Sequence, residues 1–156
     1  MKKEFETKVS VATIVPQDDK ILFVKELRDE KFVYNLPAGW LEPEEQIVSG
    51  ATREVKEETG LEVKLDFLVG VYEYFFSETK QHVIRFCFVG QIVGGKLNST
   101  KDEDVIEASF YSRQEIKDIS DHFRNPIISE CLKDYWAGKK YPLDIVNSLN
   151  QYLVLR

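Results

Sequence analysis

Residues 39–61 read GWLEPEEQIVSGATREVKEETGL. Pro43 suits a first helical turn, where its missing N–H costs nothing. Glu44 and Glu45 favour the positive end of a helix. Ile47, Val48, Ala51 and Val55 recur at helical spacing, and Gly60 follows Thr59 where a glycine stop belongs. The pattern predicts a helix over about residues 44–59. On it Glu54, Glu57 and Glu58 are spaced i, i+3 and i+4, so their carboxylates share one face. Like charges so placed cost a few tenths of a kcal/mol per pair. A hard divalent cation with oxygen ligands, Mg²⁺ or Mn²⁺, reverses the sign of that cost. Arg53, at i−4 from Glu57, is placed to orient or neutralise the cluster. Val55 points the other way and pins the helix to a core. A plain solvated acidic face is the competing reading.

Upstream, Lys8–Val15 (KVSVATIV) is rich in β-branched residues and reads as a strand. Pro16–Asp19 reads as a turn and Ile21–Glu26 as the returning strand. Arg28–Asn35 is polar and loop-like. Downstream, two β segments cover about Leu65–Phe76 and His82–Val93, joined by a turn at Ser77–Lys80. Gly94-Gly95 ends the second. Residues 98–107 are polar and acidic, and Phe110-Tyr111 reads as a short strand. Ser112 with Glu115 has the spacing of a capping box. Pro126–Ala137 reads as a further helix closed by Gly138. Strands, one central helix, more strands and late helices make an α/β (α+β) sandwich, expected to be one domain over residues 1–156.

The 156 residues carry 27 acidic against 21 basic side chains, a net charge of −6. An acidic chain is a poor non-specific binder of nucleic acid or anionic membranes. Residues 42–58 alone hold six glutamates against Arg53 and Lys56. Cys87 lies in the apolar run IRFCFV and Cys131 on the late helix, with no zinc-type spacing. The polar start MKKEFE is unlike a secretory signal, and no apolar run approaches a membrane span. A cytoplasmic location is expected.

The box Gly39, Glu45, Arg53, Glu54, Val55, Glu57, Glu58, Gly60, Leu61 resembles the signature of the Nudix (MutT-like) hydrolases, G-x5-E-x7-R-E-U-x-E-E-x-G-U. Every specified position matches. Its seven non-aliphatic positions would match by chance about once in 10⁸ start sites at average residue usage. The resemblance implies an α/β/α sandwich with a mixed sheet, a loop-helix-loop catalytic motif and hydrolysis of pyrophosphate bonds. It implies metal ligation by Glu54, Glu57 and Glu58, joined by the Gly39 carbonyl, and support of the loop by a Glu45–Arg53 pair. Glu103 or Asp104 is a further candidate for metal or base. The chemistry is sound on general grounds: a metal ion neutralises developing phosphate charge and activates water, and a carboxylate accepts the proton. No GxSxG, Walker A or Cys–His arrangement competes.

VATIV, NLPAGWLE, IRFCF and RNPIISECLKDYWAGKKYPLDI are similar to a phosphatase subgroup of that family, the NudJ-like enzymes. This implies nucleoside di- and triphosphates and thiamin-type pyrophosphates as small-molecule substrates, with release of phosphate. Two alternatives share the fold: a housecleaning enzyme that releases pyrophosphate from nucleoside triphosphates, and a non-catalytic nucleotide-binding module. The latter commonly lose box glutamates, and this chain keeps all of them. Arg85, amid Ile84, Phe86 and Phe88, is either a buried ion-pair partner or a phosphate contact aimed into a cleft. Tyr72, Tyr74 and Phe76 alternate on one strand face, either as core or as a stacking surface, which makes Tyr74 and Phe76 candidate substrate contacts. Arg124 either caps the late helix or reaches substrate. The oligomeric state is open, with a monomer favoured.

Overall fold

The computed structural model describes residues 4–99 and 102–149. β1 (Glu6–Ile14) and β3 (Lys20–Arg28) each carry a continuous buried apolar run, as strands covered on both faces do. Their period of two divides the core. Val11, Leu22 and Val24 join one cluster, whereas Ala12, Ile14, Ile21 and Phe23 join the other.

Two four-stranded sheets result. In the first, the order is β5 (Ala38–Trp40), β1, β7 (Gln81–Gly95), β6 (Leu61–Phe76). It is mixed: β1 runs parallel to β7, while the β1–β5 and β6–β7 pairs are antiparallel. In the second sheet β3 pairs antiparallel with β2 (Pro16–Gln17), β4 (Lys31–Asn35) and β8 (Val105–Ser112). Helix α1 (Ile47–Thr59) drives Ala51 and Val55 into the first cluster. Helices α2 (Arg113–Ile119) and α3 (Ile127–Trp136) place Ile116, Ile128, Cys131 and Leu132 in the second. The expected α/β/α sandwich with a mixed sheet is therefore present, with an antiparallel second sheet beside it. Cys87 is fully buried, as its apolar run predicts.

Several boundaries differ from the sequence reading. Arg28–Asn35 is not a loop: β3 reaches Arg28, Asp29 and Glu30 turn with φ of 47° and 62°, and β4 returns. Paired positive φ values are those of a I′ hairpin turn, normally marked by Asn-Gly, and Asp-Glu hides the signal. Pro16-Gln17 is not a turn but the short strand β2, the turn itself being Asp18-Asp19. The acidic run's end, from Val105, belongs to β8 rather than to a loop. α1 starts at Ile47, not at residue 44, so Pro43 and Glu44 lie outside it, and Glu44 has φ 64°. The capping box forms as expected: Ser112 Oγ accepts from Glu115 N at 3.3 Å, and Glu115 Oε2 accepts from Ser112 N at 2.7 Å.

Among the described residues no helix is long and apolar enough to cross a membrane.

Candidate active site

Arg53 explains why the loop before α1 does not join the helix. Its Nε and Nη2 donate to the two Glu45 oxygens at 2.5 and 2.9 Å, a bidentate pair. Nη2 also donates to the Trp40 carbonyl at 3.1 Å, and Nη1 to Glu54 at 2.8 Å and Glu57 at 3.0 Å. Glu45 Oε1 accepts from the Glu42 amide at 3.1 Å. The loop is thus tied to the helix through one guanidinium. Hydrogen bonding to Arg53 holds the Glu45 carboxyl below its ordinary range and pushes Arg53 further up.

The other end of α1 is set by Gly60 in the left-handed region at φ 80°, with its N–H bonded to Lys56 O at 2.9 Å. β6 begins at the next residue. The turn leaves Glu58 facing β5, where its Oε1 accepts the Ala38 N–H at 2.7 Å. Glu58 is only 4% exposed. Burial pushes its carboxyl well above the carboxylate range; the Ala38 amide opposes this, while Glu26, Glu54 and Asp102 add to it. Glu54 is half-buried and its carboxyl is also raised, chiefly by burial, against the pull of Arg53. Glu57 is exposed. A Cβ at position 39 would lie 2.1 Å from a Glu54 carboxylate oxygen, so any larger residue there would push the tip of the Glu54 side chain aside.

These groups line a cleft of about 560 Å³. Gly39, Arg53, Glu54, Glu57 and Glu58 meet there as the sequence predicts; Glu45 supports it from behind through Arg53. Asp102 and Asp104 reach the cleft wall, and Asp104 lies 3.4 Å from Arg28. Glu103 is exposed and is not among the lining residues. Glu26 was missed in the sequence. It is 2% exposed, lines the cleft, and holds Arg124 Nη1 at 2.9 Å and Arg28 Nε at 3.4 Å. Only a buried position for a strand-end glutamate would have flagged it. Arg124 is therefore held by Glu26, with its own N–H on Tyr34 O at 2.9 Å, and it lines the cleft without capping α3 through its side chain.

The donors are hard oxygens crowded by like charge, which suits a hard divalent cation. Arg53 and the Ala38 amide engage them individually, and among the described residues no group of three acidic, His or Cys side chains is gathered to hold an ion.

A second cavity of about 250 Å³ shares Ala38, Gly39, Trp40 and Arg124 with the first. Arg85, Tyr74 and Phe76 line it. Arg85 is 5% exposed and donates to Ser10 Oγ at 3.1 Å; among the described residues it has no carboxylate partner, so the ion-pair alternative is set aside. Tyr74 and Phe76 form an edge-to-face pair at 4.8 Å. Tyr72 instead turns to α3 and donates to Asp134 at 2.9 Å.

The NUDIX domain family profile matches residues 6–131. Phosphatase NudJ of Escherichia coli strain K12 is 30% identical over 146 residues, 94% of either chain. A NUDIX hydrolase from Nitrosomonas europaea superposes with TM-score 0.88 at 37% identity, over 92% of this chain and 98% of that one. A bifunctional NMN adenylyltransferase/ADP ribose pyrophosphatase from Francisella tularensis, complexed with AMP and a Mn ion, shares the fold at TM-score 0.64 and 21% identity, over 85% of this chain and 43% of its own. With a complete box whose Glu54, Glu57 and Glu58 line one acidic cleft, and a family match over most of its length, the chain belongs to the NUDIX domain family and is a Nudix hydrolase.

Proposed function

We propose that the chain, as one domain over residues 1–156, hydrolyses pyrophosphate bonds in nucleoside di- and triphosphates and thiamin-type pyrophosphates in the cytoplasm, releasing phosphate. Mg²⁺ is the cofactor, with Mn²⁺ as a substitute. The observation that carries this reading is that Glu54, Glu57 and Glu58 all line one cleft together with Gly39, with a second cavity sharing part of its lining. Glu54, Glu57 and Glu58 would hold the metal with the Gly39 carbonyl. Asp104 is the better placed of the two later candidates, since Glu103 stands outside the cleft lining. When bound, such an ion neutralises phosphate charge and lowers the pKa of a coordinated water.

The chain's own groups do the rest. Arg53 fixes Glu45, Glu54 and Glu57 relative to the loop. The Ala38 amide fixes Glu58. A cleft carboxylate takes the proton of the attacking water. Arg124, held by Glu26, brings positive charge to the boundary between the cavities. Arg85, Tyr74 and Phe76 hold the remainder of the substrate. Phosphate release is supported by the E. coli relative being named a phosphatase.

The test is a panel of nucleoside di- and triphosphates and thiamin-type pyrophosphates with Mg²⁺, scored separately for phosphate and pyrophosphate. Diphosphates should be cleaved with release of phosphate. Triphosphates giving only pyrophosphate, with diphosphates inert, would place the chain among the pyrophosphate-releasing enzymes instead.

A further inference from the structure

Four buried side-chain polar atoms lack a hydrogen-bond partner among the described residues: Thr13 Oγ1, Asn35 Oδ1, Arg85 Nη1 and Asn125 Oδ1. Buried polar groups are rarely left so, because each forfeits the bond it made with water. The last three belong to residues that line the second cavity. Asn35 is 2% exposed, Asn125 8% and Arg85 5%. They come from the end of β4, the segment before α3, and the middle of β7, so three elements place them together.

We infer that Asn35, Arg85 and Asn125 read the polar edge of the substrate's headgroup, a planar heteroaromatic ring that carries both a hydrogen-bond donor and an acceptor. This rests on the proposed pyrophosphate hydrolysis for the other half of the substrate.

The chemistry of the lining favours a ring over a second phosphate. Arg85 is the cationic group of the set that has no ion-pair partner among the described residues, and it donates only. The two amides are neutral and each supplies an acceptor as well as donors. Their terminal torsions are broad, so either the oxygen or the NH₂ can meet the ligand. The Tyr74–Phe76 pair adds apolar ring surface that a phosphate does not use and a planar ring does. Phosphate binding falls to the adjoining cleft, which holds the acidic metal-type donors. Arg85 therefore belongs with the headgroup rather than with the phosphates.

The test compares two ligands that cannot be hydrolysed, measured by calorimetry in Mg²⁺: α,β-methylene cytidine diphosphate and methylenediphosphonate, the same anion without a headgroup. Wild type should bind the first at least tenfold more tightly. In Asn35→Ala and Asn125→Ala that ratio should fall towards one. Phe76→Ala, at the half-exposed end of β6, should also lower it and guards against a misfolded asparagine variant. A wild type that does not distinguish the two ligands, or variants that weaken both equally and keep the ratio, would overturn the inference. Preference for the cytidine ligand that persists in a chain inactive towards every diphosphate would support the headgroup site while removing the hydrolytic reading.

Discussion

Glu58 combines two properties that push its carboxyl the same way, towards protonation: it is buried, and it is faced by Glu26, Glu54 and Asp102. Glu58→Gln keeps the volume and removes the charge. If these carboxylates supply the main electrostatic stabilisation, kcat should fall by about 10²–10³, and Glu54→Gln and Glu57→Gln should do similar damage. The variants should stay folded, and near-normal turnover in all three would remove the assignment. The same residue makes a prediction about pH. Its pKa in the folded chain lies well above the ordinary 4.5, so its contribution is greatest while it is protonated in both states and is lost as pH rises through the folded value. In EDTA, wild type should lose more stability to urea between pH 5 and pH 8 than Glu58→Gln does; equal losses would contradict the burial argument. Arg85→Ala should cost about 1.5–3 kcal/mol in kcat/KM, with Lys restoring only part, because an ammonium lacks the planar fork. Its melting temperature should not show the collapse expected when a buried carboxylate is left unpaired, since among the described residues Arg85 has no such partner.

The loop and helix between β5 and β6 depend on two glycines in different ways. At Gly39 an added Cβ meets the tip of the flexible Glu54 side chain. At Gly60 it meets the Lys96 backbone oxygen at 2.3 Å, on a residue already at φ 80°. Gly39→Ala should therefore leave the melting temperature nearly unchanged and lower kcat by displacing Glu54. Gly60→Ala should do the reverse first, destabilising the fold by more than about 1 kcal/mol. Thermal melts beside turnover numbers separate the two; equal stability losses would refute the distinction. The delayed start of α1 follows from the same region. Arg53 holds Glu45 and the Trp40 carbonyl, so residues 42–46 satisfy their bonds in a loop rather than a first helical turn.

The two sheets and the helices of the described residues bring an acidic cleft and a polar-aromatic cavity together at β5. Both are lined by Ala38–Trp40 and Arg124, and under the proposed function one elongated substrate spans the two. A ligand that binds only the folded chain stabilises it by mass action, about 2.7 kcal/mol at a hundredfold excess over Kd. Mg²⁺ or Mn²⁺ should accordingly raise the melting temperature of the wild type, EDTA should cancel the rise, and Glu58→Gln should blunt it. A wild type indifferent to both ions would refute metal binding by the box.

The residues of the box were legible because helical geometry is local. A 3.6-residue repeat is enough to put Glu54, Glu57 and Glu58 on one face, and Gly60 at the stop. β1 and β3 were legible as strands because their β-branched and apolar runs are also local signals. The Asp29-Glu30 hairpin was not, because its positive φ values occur without the usual Asn or Gly. Nor was the partnership of Glu26 with Arg124, residues 98 apart in the chain. Asn35 and Asn125 were equally hidden, since each reads alone as an ordinary polar residue; Arg85 stood out in its apolar run, but the amides that share its cavity did not. Which distant strands and segments become neighbours depends on how the sheets and helices bury their apolar faces together. Periodicity determines which way a side chain points within its own element; packing determines what it meets there.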